Sequence, residues 1–547
     1  MNLSELLSVL PEADRLRIED VDAQFVTDHS GKVTVDSVFV AVRGAEADGH
    51  DFLDQVVKVR PAAIVAERKA PADYSGLWIQ VDQSRKALGR LAAQLAGNPG
   101  ANMRCVAITG TNGKTSITHF IHFLLNELMI KTGMIGTVKV HDGSTYQDAT
   151  HTTPGAIQMQ EILTSMEANR CKAVVMETSS HGLEQRRTEG IPFRVGVFTN
   201  LTQDHLDFHG TMEDYFEAKK LLFSQMAEEG KDGVAVINVD DAWGVKLAEE
   251  FADQLKVITY GFGLNADFRI SDIHPSFKGQ EFALSANGRQ YLVRFPFVGN
   301  FNAQNCVAAI VAVHGLGIRV RDVVKHVEHT PQTPGRVEYV GGERFAVYVD
   351  YAHTPDAVAK ACETMRELNP ARLITVFGCG GDRDTIKRPL MGEAAAKYSD
   401  HLFITSDNPR SEVPFKILND ILPGVGETPH ELIVDRAEAI TRAIEMALPF
   451  DVILIAGKGH ETYQEINGVK HHFDDRVVAR KALVEYSKRK EAEYKQREHE
   501  RLHGRSFDDG DGEEGAESSD APDSSDSPKD PTGSIQVFKR IDDQDSE

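Results

Sequence analysis

The chain has 547 residues, a formal net charge of −23, 41% hydrophobic residues and five cysteines. That length exceeds what one hydrophobic core supports, so several domains are expected, and the acidic balance argues against nucleic acid as the main partner. No apolar run is long enough to span a bilayer, and the cysteines (Cys105, Cys171, Cys306, Cys362, Cys379) stand singly, without zinc or disulfide spacing, which suits a reducing cytoplasm and no stable membrane insertion.

The stretch Met1-Asn2-Leu3-Ser4-Glu5-Leu6-Leu7 lacks a basic segment followed by an apolar one, so no signal peptide is expected. Residues 1–99 read as a small α/β unit. Short strands are expected at 37–42, 62–66 and 77–81, and a helix over 86–96. Asn98-Pro99-Gly100 has linker chemistry. Nothing in this unit by itself announces a reaction.

Residues 100–336 are organised around Ile108-Thr109-Gly110-Thr111-Asn112-Gly113-Lys114-Thr115-Ser116. The apolar run Cys105-Val106-Ala107-Ile108 reads as a buried strand, and the periodic segment from Ile117 to Leu128 as a helix. Strand, glycine turn and helix together make a phosphate-binding loop. Gly110 and Gly113 let the backbone surround phosphate oxygens, and the helix N-terminus adds its positive end. Lys114 can reach the terminal phosphates, and Thr115 can ligate Mg²⁺. The spacing between the glycines is shorter than in GxxxxGK[ST]. Three further apolar runs end in polar residues: Ala173–Met176 before Glu177, Val195–Phe198 before Thr199, and Val234–Ile237 before Asn238. This alternation predicts a mostly parallel, helix-covered sheet with ligands beyond its carboxyl edge. Residues 267–297 alternate on a shorter period and read as a small antiparallel addition.

Residues 337–488 repeat the pattern. Four apolar runs lead into Asp350-Tyr351-Ala352-His353, Gly380-Gly381-Asp382-Arg383-Asp384, Asp407-Asn408-Pro409-Arg410 and Gly457-Lys458-Gly459-His460-Glu461. They predict a second binding face. A charged helical stretch from about Glu491 then leads into an acidic Ser/Asp/Pro tail. The segment 489–547 is expected to remain disordered, and the chain beyond about residue 506 holds about half of the net charge. Within it, Ile535-Gln536-Val537-Phe538 is an apolar island that reads as idle tail rather than a docking motif.

Glu177, His181 and His205 follow strands next to the phosphate loop, where carboxylate and imidazole suit a divalent ion on nucleotide phosphates. Arg187, Arg336, Arg383 and Arg410 flank glycine or strand-end motifs and can pair with carboxylate or phosphate. Lys219, within a helical pattern, reads alone as a surface lysine. These residues describe an ATP-using enzyme with two facing sites, and leave kinase, hydrolase and ligase open.

Five segments in order carry a family likeness: Gly110–Ser116, Glu177-Thr-Ser-Ser-His181, Asn200-Leu-Thr-Gln-Asp-His-Leu-Asp207, Gly299-Asn-Phe-Asn-Ala-Gln-Asn305 and Asp350-Tyr-Ala-His-Thr-Pro355. Together they resemble the Mur ligases, ATP-dependent amide-bond-forming enzymes of peptidoglycan precursor synthesis. Thr152-Thr153-Pro154, Ser179–Arg187, Gly381–Asp384 and Gly457–Glu461 are similar to the MurE-type branch, which adds the third residue to UDP-MurNAc-L-Ala-D-Glu.

The resemblance implies an α/β protein of three domains: a small N-terminal UDP-binding α/β domain (1–99), a central P-loop parallel-sheet ATPase domain (100–336), and a C-terminal Rossmann-like domain (337–488) for the incoming amino acid. It implies ATP and Mg²⁺, an acyl-phosphate intermediate, and a monomer. ATP contacts are implied for Gly110, Thr111, Asn112, Gly113, Lys114, Thr115, Ser116, Asn302, Arg336 and Asp350. Lys114, His205 and Lys219 would serve catalysis. Thr115, Glu177, His205 and Lys219 would form the metal site, with Lys219 carried as a carbamate (N6-carboxylysine). Ser30, Thr152, Thr153, Ser179, Gln185 and Arg187 would hold the UDP-MurNAc-dipeptide. Arg383, Asp407, Asn408, Arg410, Gly457 and Glu461 would hold meso-diaminopimelate, with Arg410 pairing the carboxylate that lysine lacks. A lysine-adding enzyme, a folylpolyglutamate synthase and a catalytically inactive scaffold are the alternatives. The first domain has His29-Ser30-Gly31 and Val35-Asp36-Ser37 where the family has Asp-Ser-Arg and Pro-Gly-Asp elements, and the acidic tail has no family counterpart.

Overall fold

The computed structural model describes residues 1–503 apart from 14–17, 19–20, 45–46 and 231, with the backbone alone for Asp207, Leu502 and His503. The chain separates into two units, Met1–Lys488 and Arg489–Glu547. The first unit is built on three successive sheets.

Four parallel strands, Phe25–Thr27, Ser37–Val40, Ala63–Ala66 and Trp78–Gln80, pair in sequence order to form the N-terminal sheet. The middle strands are buried throughout, which explains their unbroken apolar runs. The three-residue strand Phe25–Thr27 carries too little pattern to be read from sequence. The helix starts at Ser84, two residues before the expected Lys86, because Glu67 Oε1 accepts from both Ser84 N and Oγ at 3.1 Å and satisfies its first turn. The linker Asn98-Pro99-Gly100 opens a short 3-10 turn, Pro99–Asn102.

The central sheet has eleven strands. Its parallel heart runs in the order Lys256–Gly261, Val234–Asn238, Phe193–Phe198, Arg104–Thr109, Ala173–Glu177 and Thr132–Ile135. Three strands, Phe268–Ser276, Gly279–Ala286 and Arg289–Phe295, extend one side; the pairs within this group are antiparallel, as the alternation at 267–297 predicts. Two short strands, Lys139–His141 and Tyr146–Asp148, extend the other. Helices Lys114–Glu127 and Asn300–Gly315 cover one face, and helices Ala156–Ala168, Met212–Glu229 and Ala242–Phe251 cover the other. The helix Asn300–Gly315 is apolar nearly all round and buried from Asn305 to Val313, the signature of a helix enclosed by protein.

The third sheet has six strands in the order Glu338–Gly341, Ala346–Asp350, Val452–Ala456, Leu373–Phe377, His401–Ile404 and His430–Leu432, parallel except at the first pair. A two-stranded ribbon, Tyr463–Ile466 with Val469–His472, follows it. The sequence reading missed this ribbon because its second strand is fully exposed and shows no burial period.

The last helix, Asp475–His503, carries the chain into the segment expected to be disordered. Ion pairs Lys490–Glu493 and Lys495–Glu491 lie at helical spacing on it, which accounts for helix where apolar burial is lacking. The acidic run from Asp508 and the island Ile535–Phe538 lie outside the described residues.

Candidate active site

The register places Ile108 opposite both Glu177 and Val197, so the central strands end together at one edge. The phosphate-loop residues sit on that edge. Gly110 has φ +143° and Gly113 φ +88°. A Cβ on Gly110 would lie 1.9 Å from Thr199 Oγ1, and one on Gly113 2.5 Å from Asn305 Oδ1, so the turn requires glycine at both positions. The helix begins at Lys114 rather than Ile117, directly after the left-handed Gly113. That brings the free N–H groups of the helix, including those of Thr115 and Ser116, to the loop itself. The next strand end braces the loop: Thr111 N donates to Asn200 O at 2.9 Å, and Asn112 N to Asn200 Oδ1 at 3.0 Å.

Two lysines converge on the loop. Lys114 Nζ donates to Gly110 O at 2.9 Å and Thr111 O at 2.8 Å. Lys219 Nζ donates to the same Gly110 O at 2.9 Å. Lys219 is not the surface lysine its sequence context suggests; it is 1% exposed and lies over the Tyr215 ring at 4.4 Å. Burial, reinforced by Lys114, holds the Lys219 amine well below the usual lysine range. Burial also lowers Lys114, against the pull of Glu177 and Asp204.

Glu177, 1% exposed, faces this pair. Its Oε2 accepts from Thr115 Oγ1 at 2.9 Å and its Oε1 from Thr137 N at 2.8 Å. Thr137 Oγ1 lies 3.0 Å from Glu177 Oε2 and 3.1 Å from Thr152 Oγ1. His205 sits nearby in left-handed backbone, φ +52°, with its ring 5.0 Å from that of His181. Thr115 and Glu177 therefore bond directly, whereas Lys219 reaches the loop at Gly110 O and His205 stands against Asp204 at 3.5 Å. Among the described residues no three His, Cys, Asp or Glu side chains converge into a metal cage. Hydroxyl and carboxylate oxygens without a full cage fit Mg²⁺, which keeps waters and substrate phosphates in its shell.

The positions implied for the dipeptide form one network beside Glu177. Thr153 Oγ1 donates to Glu177 O at 3.1 Å and accepts from Ser179 N at 3.0 Å. Ser179 Oγ caps the helix Ser180–Glu184 through Gly182 N. Arg187 donates to Thr153 O at 2.7 Å and, through Nη2, to Gln185 Oε1 at 2.7 Å. Burial lowers the Arg187 pKa, and the nearby Arg85 of the N-terminal sheet unit adds to this. Ser30, on the short turn Ser30–Lys32, makes no hydrogen bond to this network among the described residues.

Asn302 is buried and donates to Val298 O at 2.9 Å. Asp350 accepts from Val337 N and Ala352 N, both at 2.8 Å, which fixes the chain where the second and third sheets meet. Burial raises its carboxyl, and Arg336 counters. The Arg336 guanidinium lies 5.1 Å from the Tyr351 ring, and its charge reaches Lys114 and His460, so it stands between the phosphate loop and the third-sheet loops.

On the third sheet, Asp407, Asn408, Gly457 and Glu461 come together. Asn408 Nδ2 donates to Glu461 Oε2 at 3.0 Å, and a Cβ on Gly457 would meet Asp407 Oδ2 at 2.6 Å. Arg410 adjoins them, with Nη1 donating to Gly381 O at 2.8 Å. Arg383 is exposed. Beneath, the buried pair Arg436–Asp475 (2.7 Å) reaches Ala456 O and Ser406 O, shoring up the two strand ends.

Sequence reasoning missed several participants. Tyr215 and Thr137 approach through tertiary packing, although Thr137 follows a strand end as the others do. Lys458, fully buried, donates to Asn408 Oδ1 at 3.0 Å and Glu461 Oε2 at 3.1 Å; its place between two glycines was the available signal. His209 donates or accepts at Ser180 Oγ (2.9 Å) and lies 3.2 Å from Glu184, and burial lowers its pKa to about 4.

Residues 108–313 match the family described as Mur ligase middle domain, and residues 335–459 that described as Mur ligase, glutamate ligase domain. The UDP-N-acetylmuramoyl-L-alanyl-D-glutamate–2,6-diaminopimelate ligase of Geobacillus thermodenitrificans is 42% identical over 491 residues, 89% of this chain and 100% of its own length. The ligase of the same description from Syntrophomonas wolfei subsp. wolfei is 41% identical over 458 residues, 83% of this chain and 93% of its own. A solved structure of a ligase so described has 33% identity and a TM-score of 0.70, covering 88% of this chain and 99% of that one.

Proposed function

The chain belongs to the Mur ligase family, and we propose that the cluster at the carboxyl edge of its central sheet joins meso-diaminopimelate to the D-glutamyl residue of UDP-MurNAc-L-Ala-D-Glu. It is an ATP-dependent, amide-bond-forming ligase of peptidoglycan precursor synthesis, and its substrates are small molecules. The observation that carries the residue-level reading is the convergence of Lys114 and Lys219 on one glycine turn, with Glu177 bonded to Thr115 beside it.

The three sheet units take the substrates in chain order: 1–99 the uridine nucleotide, 100–336 ATP, and 337–488 the amino acid. The D-glutamyl carboxylate oxygen bonds to the γ-phosphorus of ATP, the bond to the bridging oxygen breaks, and ADP leaves an acyl phosphate behind. The diaminopimelate amine attacks that carbonyl, and phosphate leaves. Lys114, aimed by the Gly110 and Thr111 carbonyls, neutralises charge on the transferring group. Thr153, Ser179, Gln185 and Arg187 hold the dipeptide beside it. Mg²⁺ would be held by Thr115, Glu177, His205 and a carbamylated Lys219, and would supply charge neutralisation on the phosphates.

The carbamate fits the surroundings of Lys219. An amine held below its ordinary pKa is available unprotonated. Its nitrogen bonds to the carbon of CO₂ and releases one proton, which leaves an anion where Lys114 supplies a neighbouring cation. No described helix is long and apolar enough to cross a membrane, and we place the reaction in the cytoplasm, by a monomer.

The direct test is phosphate release from ATP with UDP-MurNAc-L-Ala-D-Glu, with meso-diaminopimelate and L-lysine supplied in parallel. Release with diaminopimelate alone is expected. Release with lysine alone would overturn the specificity, and release with neither would overturn the ligase reading.

A further inference from the structure

Arg410 is held by the ribbon that follows the third sheet. Its backbone is left-handed, φ +49°, a region unfavourable for side chains. The ribbon keeps it there. Arg410 N donates to Glu465 O at 3.0 Å, Asn467 N donates to Arg410 O at 2.8 Å, and Arg410 pairs in parallel with Ile466. The guanidinium is pinned as well. Nε donates to Glu465 Oε2 at 3.2 Å and Nη1 to Gly381 O at 2.8 Å. It rests on bare main chain, since a Cβ on Gly380 would come within 3.0 Å of Nη1.

The pair is only partly used. Among the described residues no protein acceptor takes Arg410 Nη2, and no donor takes Glu465 Oε1. Both side chains keep some solvent access, 21% for Arg410 and 25% for Glu465. The same strand aligns Asn408, whose Oδ1 accepts from Glu465 N at 2.9 Å. An open donor edge and an open carboxylate oxygen therefore stand side by side, with net charge near zero. A ligand end bearing only a carboxylate, or only an ammonium, leaves one of them unmatched; an end bearing both satisfies both.

We propose that Arg410 and Glu465 together receive the zwitterionic far end of the incoming amino acid, Arg410 binding its carboxylate and Glu465 its ammonium. The proposal rests on the diaminopimelate-adding reading above and makes Glu465 a further specificity-determining residue. Lysine supplies only the ammonium. 2-Aminopimelate, which lacks the far ammonium, supplies only the carboxylate.

The experiment compares kcat and KM for meso-diaminopimelate, 2-aminopimelate and L-lysine in the full chain and in Glu465→Gln and Glu465→Ala. Loss of a charge-assisted hydrogen bond is expected to lower kcat/KM for diaminopimelate by about 10-fold to 100-fold in both variants. The loss should lie in the amino-acid KM, with kcat and the KM for ATP steady, and turnover of 2-aminopimelate should stay within about threefold. An equal loss for diaminopimelate and 2-aminopimelate would reduce Glu465 to a prop for Arg410 and overturn the receptor, as would no loss at all. A wild-type chain inactive with all three amino acids overturns the ligase reading and the receptor with it; an active wild type with either flat result overturns the receptor alone.

Discussion

The central and third sheets both present basic side chains at their carboxyl edges, but they treat them oppositely. Lys114 and Lys219 donate to main-chain carbonyls and, among the described residues, bond no carboxylate. In the third sheet Arg410 pairs with Glu465, Lys458 with Glu461, and Arg388 with Glu412 and Asp420. A site left positive by its own side chains is ready for phosphates and for an acidic modification. A site neutralised from within suits a ligand that brings both charges. On the proposed reading, the contrast separates the two halves of the reaction by electrostatics, with phosphoryl transfer at one edge and amino-acid selection at the other.

Three variants probe this contrast. Lys114→Ala removes the cation proposed to neutralise the transferring group and should lower kcat about a thousandfold, read as phosphate release, while the fold persists. Activity near wild type would mean that the central edge does not depend on its unpaired charge. Lys219→Ala should lower kcat about a hundredfold and abolish the carbamate signal seen by ¹³C NMR when the protein is equilibrated with ¹³CO₂. Its absence from the wild type would leave Lys219 a buried amine and remove the acidic half of the central design. The smallest effect is expected on the neutralised side. Arg388 donates to Glu412 Oε1 at 2.7 Å and holds that carboxyl down to about 2. A lowered carboxyl pKa contributes stability above its unfolded value, and loses it as pH falls through the folded one. The melting temperature should therefore favour wild type over Glu412→Gln near neutrality, and the gap should narrow as pH falls from the ordinary glutamate range toward about 2. A gap independent of pH would show that this pair adds no charge-dependent stability.

What the sequence disclosed follows the range of the interactions. Gly110–Ser116 is a local device: strand, turn and helix lie within about fifteen residues, and each leaves its own pattern. Glu177 and His205 were legible because parallel strands deliver their next residues to one edge. Lys219 was not legible from its own helix and was marked only by the family likeness, since its burial comes from Tyr215 and from the Gly110 carbonyl far along the chain. Glu465 was hidden for the same reason. It lies on a short, half-exposed strand whose importance comes from a bridge to Arg410, fifty-five positions away. Ser30 was read from a motif remnant, and its short turn makes no link to the dipeptide network among the described residues.

The Gly110 carbonyl accepts from both lysines, and the Thr111 carbonyl accepts from one of them. The Lys114 ammonium has three N–H donors, so with two held by these carbonyls it keeps a third for a phosphate oxygen. On the proposed reading, nucleotide entry at this loop adds a hydrogen bond to a side chain that the loop's own carbonyls already hold in place, so its ordering cost is met before the nucleotide arrives. The turn that would wrap the phosphates is therefore also the splint for the charge that would meet them, and a distortion at Gly110 or Thr111 disturbs both together.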